Sequence, residues 1–376
     1  MKIKILMSLG SLGIGGNEIF VMNFFRHIDK SKFQVDFVIF DDTRLDFYNE
    51  VTTAGSKVYI IKPFKKDGIS LFFYQIHEVK KLLKSNHYDI VHCHSCSFIG
   101  ILRSAIPAHQ IKDTKVISHA HNPGMPKNNP IDKGIRMITK IYLSRIVDMG
   151  LSCSDIASQS KYTKKFMKSN KYAIIRNAIE TNKYKFDLKK KNKIRKQYNL
   201  SDEILVGNVG RLAYQKNQLF LLEIFSEIHK VNSNTKLIII GGGELETELK
   251  CKAEKLNIAD MVIFTGSVSN TADYYSAMNA FVMPSHYEGL PFTAVEAQVN
   301  GLRCVFSDKI TRMADISETS VFLPLNNASE WVAPVLNAAA SRIPHQKTAL
   351  ICNQYDLRIE TKRLQQLYLD LIRNKD

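Results

Sequence analysis

Twice along the chain, short runs rich in isoleucine and valine alternate with longer segments of helical periodicity. The first series reads KIKILM, FQVDFVIF, SKVYII, DIVHCHS and TKVISHA, with EIFVMNFFRHI and FFYQIHEVKKLLK among the segments between. The second reads EILVGNVGRL, TKLIIIGGG, MVIFTGS, AFVMPS, RCVFSD and SVFLPL. Strand, helix and strand in repetition imply parallel sheets with helices on both faces, since parallel neighbours can be joined only through a crossover. Two series predict two Rossmann-like α/β domains, residues 1–185 and 186–356, and a length of 376 residues is enough for two cores. A last polar helix, 357–374, carries a Leu/Tyr stripe (LQQLYLDLI) able to return to the first domain.

No apolar run approaches the ~20 residues that span a bilayer. The opening MKIKILMSLGSLGIGG imitates a secretion signal, but its apolar part is short and runs into a glycine loop, so it reads as a first buried strand over 4–8. Six scattered cysteines fit a reducing cytoplasm better than a disulfide framework. Cys93 and Cys96 form a C-x-x-C beside His92 and His94, yet no second pair of that spacing accompanies them, so no zinc site is expected.

The net charge of +16 is unevenly distributed. Residues 1–200 carry 35 Lys and Arg against 16 Asp and Glu, whereas 201–376 carry 17 against 20. The excess concentrates in 161–200, with 14 basic residues and 2 acidic ones. Such a run suits an anionic membrane face or plain solvent. No helix-turn-helix, finger or RNA-recognition signature lies nearby, so nucleic acid is not an expected partner.

Ligands of open parallel sheets sit outside the carboxyl ends of the strands, which makes the following loops the places to search. After the first strand comes SLGSLGIGGNE. It does not fit a dinucleotide fingerprint, because the third glycine of G-x-G-x-x-G would fall on Glu18. Gly15 and Gly16 still let backbone N–H groups approach an anion ahead of a helix. In VGNVGRLAYQKNQ, Arg211 and Lys216 lie where a diphosphate could be neutralised beside a helix start, or they are two surface cations. In MPSHYEGLPFTAVEAQVNG, Glu288 falls on a loop after a strand over 280–284, Glu296 lies one turn into the helix 292–300, and Gly301 caps it. Carboxylates so placed accept directed hydrogen bonds from sugar hydroxyls.

E-x7-E in HYEGLPFTAVEAQVNG, G-R-x4-K in VGRLAYQK, the GGGELETEL turn and the glycine loop GIGGNE together resemble the retaining glycosyltransferases of family 4 (glycosyl transferases group 1). The likeness runs the whole length and includes DIVHCHS, VISHAHN and IIRNAIETNKY; it is strongest to bacterial exopolysaccharide and capsule enzymes. It implies the GT-B architecture, with two parallel sheets facing a central cleft, an acceptor-binding first domain and a nucleotide-sugar-binding second one. Carried onto this sequence, it implies that Glu296 binds ribose, and that Arg211 and Lys216 hold the diphosphate. Glu288 with Gly289, Leu290, Pro291 and Phe292 would hold the donor sugar, Gly15 and Gly16 would lie against donor phosphate and acceptor, and the base would rest near 266–268, including Val268. A histidine near the transferred sugar is implied at His121, with His119 as the second candidate.

The resemblance further implies a UDP-hexose or UDP-N-acetylhexosamine donor and a lipid-linked saccharide acceptor. The chain has no D-x-D triplet, so no metal is expected. Transfer would proceed with retention and without a covalent enzyme intermediate. The protein would be cytoplasmic and peripheral, its basic first domain held at the anionic inner face of the membrane. A nucleotide-sugar epimerase and a non-catalytic subunit of a transferase complex share this layout. The first would convert free donor without acceptor, and the second would usually lack donor contacts.

Overall fold

The computed structural model describes residues 2–62, 68–123 and 129–373. They form two compact units, one within 2–177 together with 357–373, and the other 178–356. The first holds a seven-stranded parallel sheet in the order β3-β2-β1-β4-β5-β6-β7. Its strands are β1 (Ile3–Ser8), β2 (Phe33–Ile39), β3 (Val58–Ile60), β4 (Ile90–His94), β5 (Lys115–Ala120), β6 (Met149–Ser152) and β7 (Tyr172–Ile174). The second holds a six-stranded parallel sheet in the order β10-β9-β8-β11-β12-β13. These are β8 (Ile204–Val209), β9 (Thr235–Ile240), β10 (Val262–Phe264), β11 (Ala280–Met283), β12 (Arg303–Ser307) and β13 (Val321–Leu323). The central strands are covered on both faces, so most of their residues are buried.

The division between the units falls at residue 177, earlier than the expected 185. The reason is packing: the short helix Thr181–Tyr184 and the helix Leu188–Gln197 belong to the second unit, where Asn300 Nδ2 donates to the Tyr184 carbonyl at 2.8 Å and Asp187 N to Ser276 Oγ at 3.3 Å. The basic run 161–200 is therefore not one patch on the first domain. Its second half lies in the other unit, and much of it is tied down there. Arg195 is buried, donating to the carbonyls of Ser201, Glu203 and Ala277, and Lys190 and Lys193 pair with Asp273.

The C-terminal helix Leu357–Arg373 packs on the first unit; residue 374, its expected end, lies outside the described residues. Leu357, Leu364 and Tyr368 are buried there. Arg176 N donates to Glu360 Oε1 at 2.7 Å and Asp29 N to Gln365 Oε1 at 2.9 Å.

Each sheet reverses strand order once, between β1 and β4 and between β8 and β11. Loops leaving adjacent strands in opposite directions open a crevice at such a point.

Candidate active site

In the second unit the reversal point joins two loops. The one after β8 carries a 3-10 turn, Tyr214–Lys216, and the one after β11 leads into the helix Phe292–Val299. Backbone and side chains stitch them together: His286 N donates to the Gln215 carbonyl at 2.9 Å, Gln215 Nε2 to the Tyr287 carbonyl at 3.1 Å, and Asn217 Nδ2 to the Pro284 carbonyl at 3.1 Å. Glu288 is buried, and both of its oxygens are engaged. Lys216 Nζ reaches Oε1 at 2.6 Å and Gln215 Nε2 reaches Oε2 at 3.0 Å. The family resemblance implies different parts of a ligand for Lys216 and Glu288; the fold brings the two into direct contact. An ammonium has three donors, so Lys216 can keep this carboxylate and still donate to an anion.

Arg211 shares the loop but is exposed, and its carbonyl accepts from Gln218 Nε2 at 3.1 Å. Gly289, Leu290, Pro291 and Phe292 are buried and form the turn into the helix, with Pro291 as the residue before its first turn. The helix ends at Val299, and Gly301 follows with φ +88°, the left-handed conformation of a helix-terminating glycine.

Glu296 stands one turn into that helix. Tyr275 Oη donates to its Oε2 at 2.7 Å, with Tyr184 close by. Burial pushes the Glu296 carboxyl up from its ordinary range, opposed by those two tyrosines and by Lys183 and Lys216. Gln215, Tyr275 and Tyr184 were missed in the sequence. Gln215 and Tyr184 fall inside the runs VGRLAYQK and IIRNAIETNKY without a role being assigned to them, and Tyr275 falls in none, because their approach to the carboxylates depends on tertiary packing.

The GGG turn after β9 explains itself sterically. A Cβ on Gly243 would meet the Leu212 backbone at 2.3 Å, and one on Gly241, at φ +136°, the Gly210 carbonyl at 2.1 Å. These glycines let β9 pass against the loop that carries Arg211 and Lys216. Val268, half-buried, lies on the loop after β10, where Gly266 accepts from Gly241 N at 3.0 Å.

In the first unit, Gly15 is extended (φ −153°, ψ 167°) immediately ahead of the helix Gly16–His27, with no side-chain cap. Gly16 is exposed, and a Cβ on it would meet nothing. Beyond the reversal point four histidines converge. Register places His94 of β4 beside His119 of β5, so His92, His94, His119 and His121 share one face of the sheet. All are buried. His94 Nδ1 and His121 Nε2 lie 2.9 Å apart, and His92 Nδ1 meets Tyr368 Oη at 2.7 Å. Phe20 of the first helix packs edge-on against His119 and His121.

Among the described residues, five ring nitrogens in this cluster have no hydrogen-bond partner, including both of His119. Burial holds every one of the four rings neutral, lowering His121 to about 3 and the others well below their usual value. His121 retains 6% exposure and His119 none. His92, His94 and His119 could each offer a nitrogen to a metal ion, the three atoms lying within 4.8 Å of one another. A tetrahedral zinc at its usual bond length would draw them to about 3.4 Å. Cys93, one residue out of phase on β4, is buried away from this face, which separates it from the histidines.

Among the described residues, no helix is long and apolar enough to cross a membrane. The pattern that defines the Glycosyltransferase Family 4 domain matches residues 14–183, and that of Glycosyl transferases group 1 matches 190–338. The chain is 26% identical over 352 residues to the Escherichia coli UDP-Gal:alpha-D-GlcNAc-diphosphoundecaprenol alpha-1,3-galactosyltransferase, covering 89% of this chain and 86% of that one. It is 22% identical over 374 residues to the Staphylococcus aureus capsular polysaccharide biosynthesis glycosyltransferase CapH, covering 98% and 99%. Among solved structures, Anabaena HepE in complex with UDP-glucose superposes with a TM-score of 0.78 at 16% identity, over 98% of this chain and all of the other.

Proposed function

Because the chain belongs to the glycosyltransferases, a family 4 domain followed by a group 1 domain in the GT-B fold, we propose that it moves a hexose or N-acetylhexosamine from a UDP-sugar to a lipid-linked saccharide. The product would enter a capsule or exopolysaccharide. The observation that carries this reading is the pairing of Lys216, Gln215 and Glu288 at the reversal point of the second sheet, with Glu296 one turn away. The names of two full-length relatives support the finer terms: one uses UDP-galactose and a diphosphoundecaprenol-linked acceptor, the other serves capsule synthesis.

In this reading Glu296 uses Oε1 for the ribose hydroxyls, since Oε2 already accepts from Tyr275. Lys216, with Arg211 on the same loop, neutralises the departing diphosphate, where charge develops in the transition state. Both oxygens of Glu288 are held by Lys216 and Gln215, which suits a group that positions the sugar and not one that attacks it. Retention then follows from attack on the face the diphosphate leaves. The acceptor oxygen bonds to the anomeric carbon as the bond to the phosphate oxygen breaks, and the acceptor's proton passes to that oxygen. In the first unit, His121, a neutral imidazole, and the Gly15–Gly16 turn are the candidate substrate-binding groups. No metal is required, and the protein works at the inner face of the cytoplasmic membrane.

The test is nucleotide release from UDP-, GDP- and ADP-sugars in EDTA, by wild type and by Glu296→Ala. A UDP-sugar hydrolysed slowly without metal, and no longer hydrolysed by the variant, is the expected result. Preference for another nucleotide removes the donor assignment. Sugar conversion without nucleotide release identifies an epimerase, and failure to bind any donor a non-catalytic chain.

A further inference from the structure

The helix Pro130–Ile146 is folded with its apolar stripe outward. Ile131, Ile135, Ile138 and Tyr142 recur at helical spacing, and all are exposed, Ile131 and Ile138 each by 70%. The inward face is polar along most of its length: Asp132, Arg136, Thr139 and Lys140 are half-buried, and Lys140 Nζ donates to the Gln159 carbonyl at 2.6 Å. Only Leu143 and Ile146, in the last turn, are buried apolar anchors. A surface helix ordinarily presents the opposite arrangement, so this stripe is built for a cover.

The apolar surface continues onto neighbouring helices. Ile99 is 64% exposed at the start of Phe98–His109, and Ile69 is 77% exposed at the start of Gly68–Ser85. The helix Phe98–His109 packs against the other two. Each of these residues lies in the first turn of a helix that follows a strand. They therefore mark the same edge of the sheet as the carboxyl ends of β4 and β5, where His94 and His121 sit.

Charge selects the occupant. The outward helix carries Lys133, Arg136, Lys140 and Arg145 against a single acid, Asp132. A second copy docked by two-fold symmetry would bring these cations face to face. An anionic bilayer instead offers phosphates at the depth the lysines and arginines reach, and acyl chains beneath them for the isoleucines.

We propose that the stripe Ile131, Ile135, Ile138 and Tyr142, flanked by Lys133 and Arg145, lies in the interface of an anionic lipid bilayer and sets the carboxyl edge of the first sheet against it. This deepens the reading of a lipid-linked acceptor and rests on it. It also moves the contact from the basic run 161–200 to a helix outside that run, and makes it partly apolar.

The experiment is sedimentation of the full chain with vesicles of phosphatidylglycerol and phosphatidylcholine, and with phosphatidylcholine alone, at low and high salt. Wild type should bind the anionic vesicles and retain part of that binding at high salt. The triple variant Ile131→Gln, Ile135→Gln, Ile138→Gln should bind about tenfold more weakly or worse, with unchanged melting because the three side chains are exposed. Equal binding by both proteins, or binding by neither, overturns the proposal. So does a wild-type dimer that the triple variant converts to a monomer, which would make the stripe a subunit interface. Nucleotide release is measured on the same preparations as a separate readout. Its absence with vesicle binding intact removes the functional reading and leaves this surface standing; its presence without vesicle binding removes this surface alone.

Discussion

At the reversal point of the second sheet charges meet charges; beside that of the first, four uncharged imidazoles are packed together. The opposite charges of Lys216 and Glu288 are matched in a salt bridge at 2.6 Å. His92, His94, His119 and His121 lose theirs because burial offers no anion in return. One topology thus positions two kinds of chemistry. The second unit carries a paired ammonium and carboxylate, and the first presents neutral imidazoles in a buried setting.

The largest expected effect lies in the second unit. Lys216→Ala should lower kcat for nucleotide release by roughly 10²–10³, the usual loss when one preorganised donor is removed from a developing negative charge. The same variant leaves buried Glu288 with Gln215 alone, so melting temperature must be followed beside the rate. The double variant Lys216→Met, Glu288→Gln removes both charges and should recover much of any lost stability while staying inactive. Full activity in Lys216→Ala would break the comparison, since the charged site would then be structural only.

Acid should separate the two units next. Each imidazole has a folded pKa below its unfolded value of about 6.5, so below that pH the unfolded chain binds protons that the folded one refuses. The stability is intact above about pH 6.5 and is lost as pH falls, at up to about 1.4 kcal/mol per pH unit for each ring. For His121 the window extends down to about pH 3. The single tryptophan, Trp331, is fully buried in the second unit and reports on that unit. Between about pH 6.5 and 5, helical circular dichroism should fall before Trp331 fluorescence changes. His119→Gln should flatten that early loss. Simultaneous loss of both signals would mean the cluster does not set the acid limit of the first unit.

The two sites also differ in how far sequence reveals them. Glu288, Glu296, Arg211 and Lys216 fall in short motifs at strand ends, and the alternation of runs that fixes both parallel sheets also fixes those ends. What each carboxylate touches was not legible: Gln215 and Lys216 meet Glu288 from more than seventy residues away, and Tyr275 approaches Glu296 from another helix. The histidine cluster was half visible. VHCHSC and VISHAHN show the pairs, but their meeting depends on the β4–β5 register that sets His94 beside His119. The basic run misled because charge density says nothing of where a chain crosses between units; it crosses inside that run, at residue 177. Periodicity also shows that Pro130–Ile146 has an apolar stripe, but not which way the stripe faces.

The smallest effect tests the far end of the imidazole cluster. Tyr368 reaches His92 Nδ1 at 2.7 Å from the C-terminal helix, and its ring packs edge-on against Phe24 and Phe33. Tyr368→Phe keeps the ring and removes the hydroxyl, leaving a buried His92 nitrogen without its partner. The cost should be about 1–3 kcal/mol, read as a shift of the urea midpoint at unchanged slope. Nucleotide release should stay within about twofold, because His92 lies two residues before His94 and has no bond to His121. A large loss of activity at unchanged stability would mean instead that hydrogen bonding passes from Tyr368 through the stacked rings to His121. The first unit's site would then be a connected network reaching to the C-terminal helix, and its contrast with the locally paired site of the second unit would sharpen.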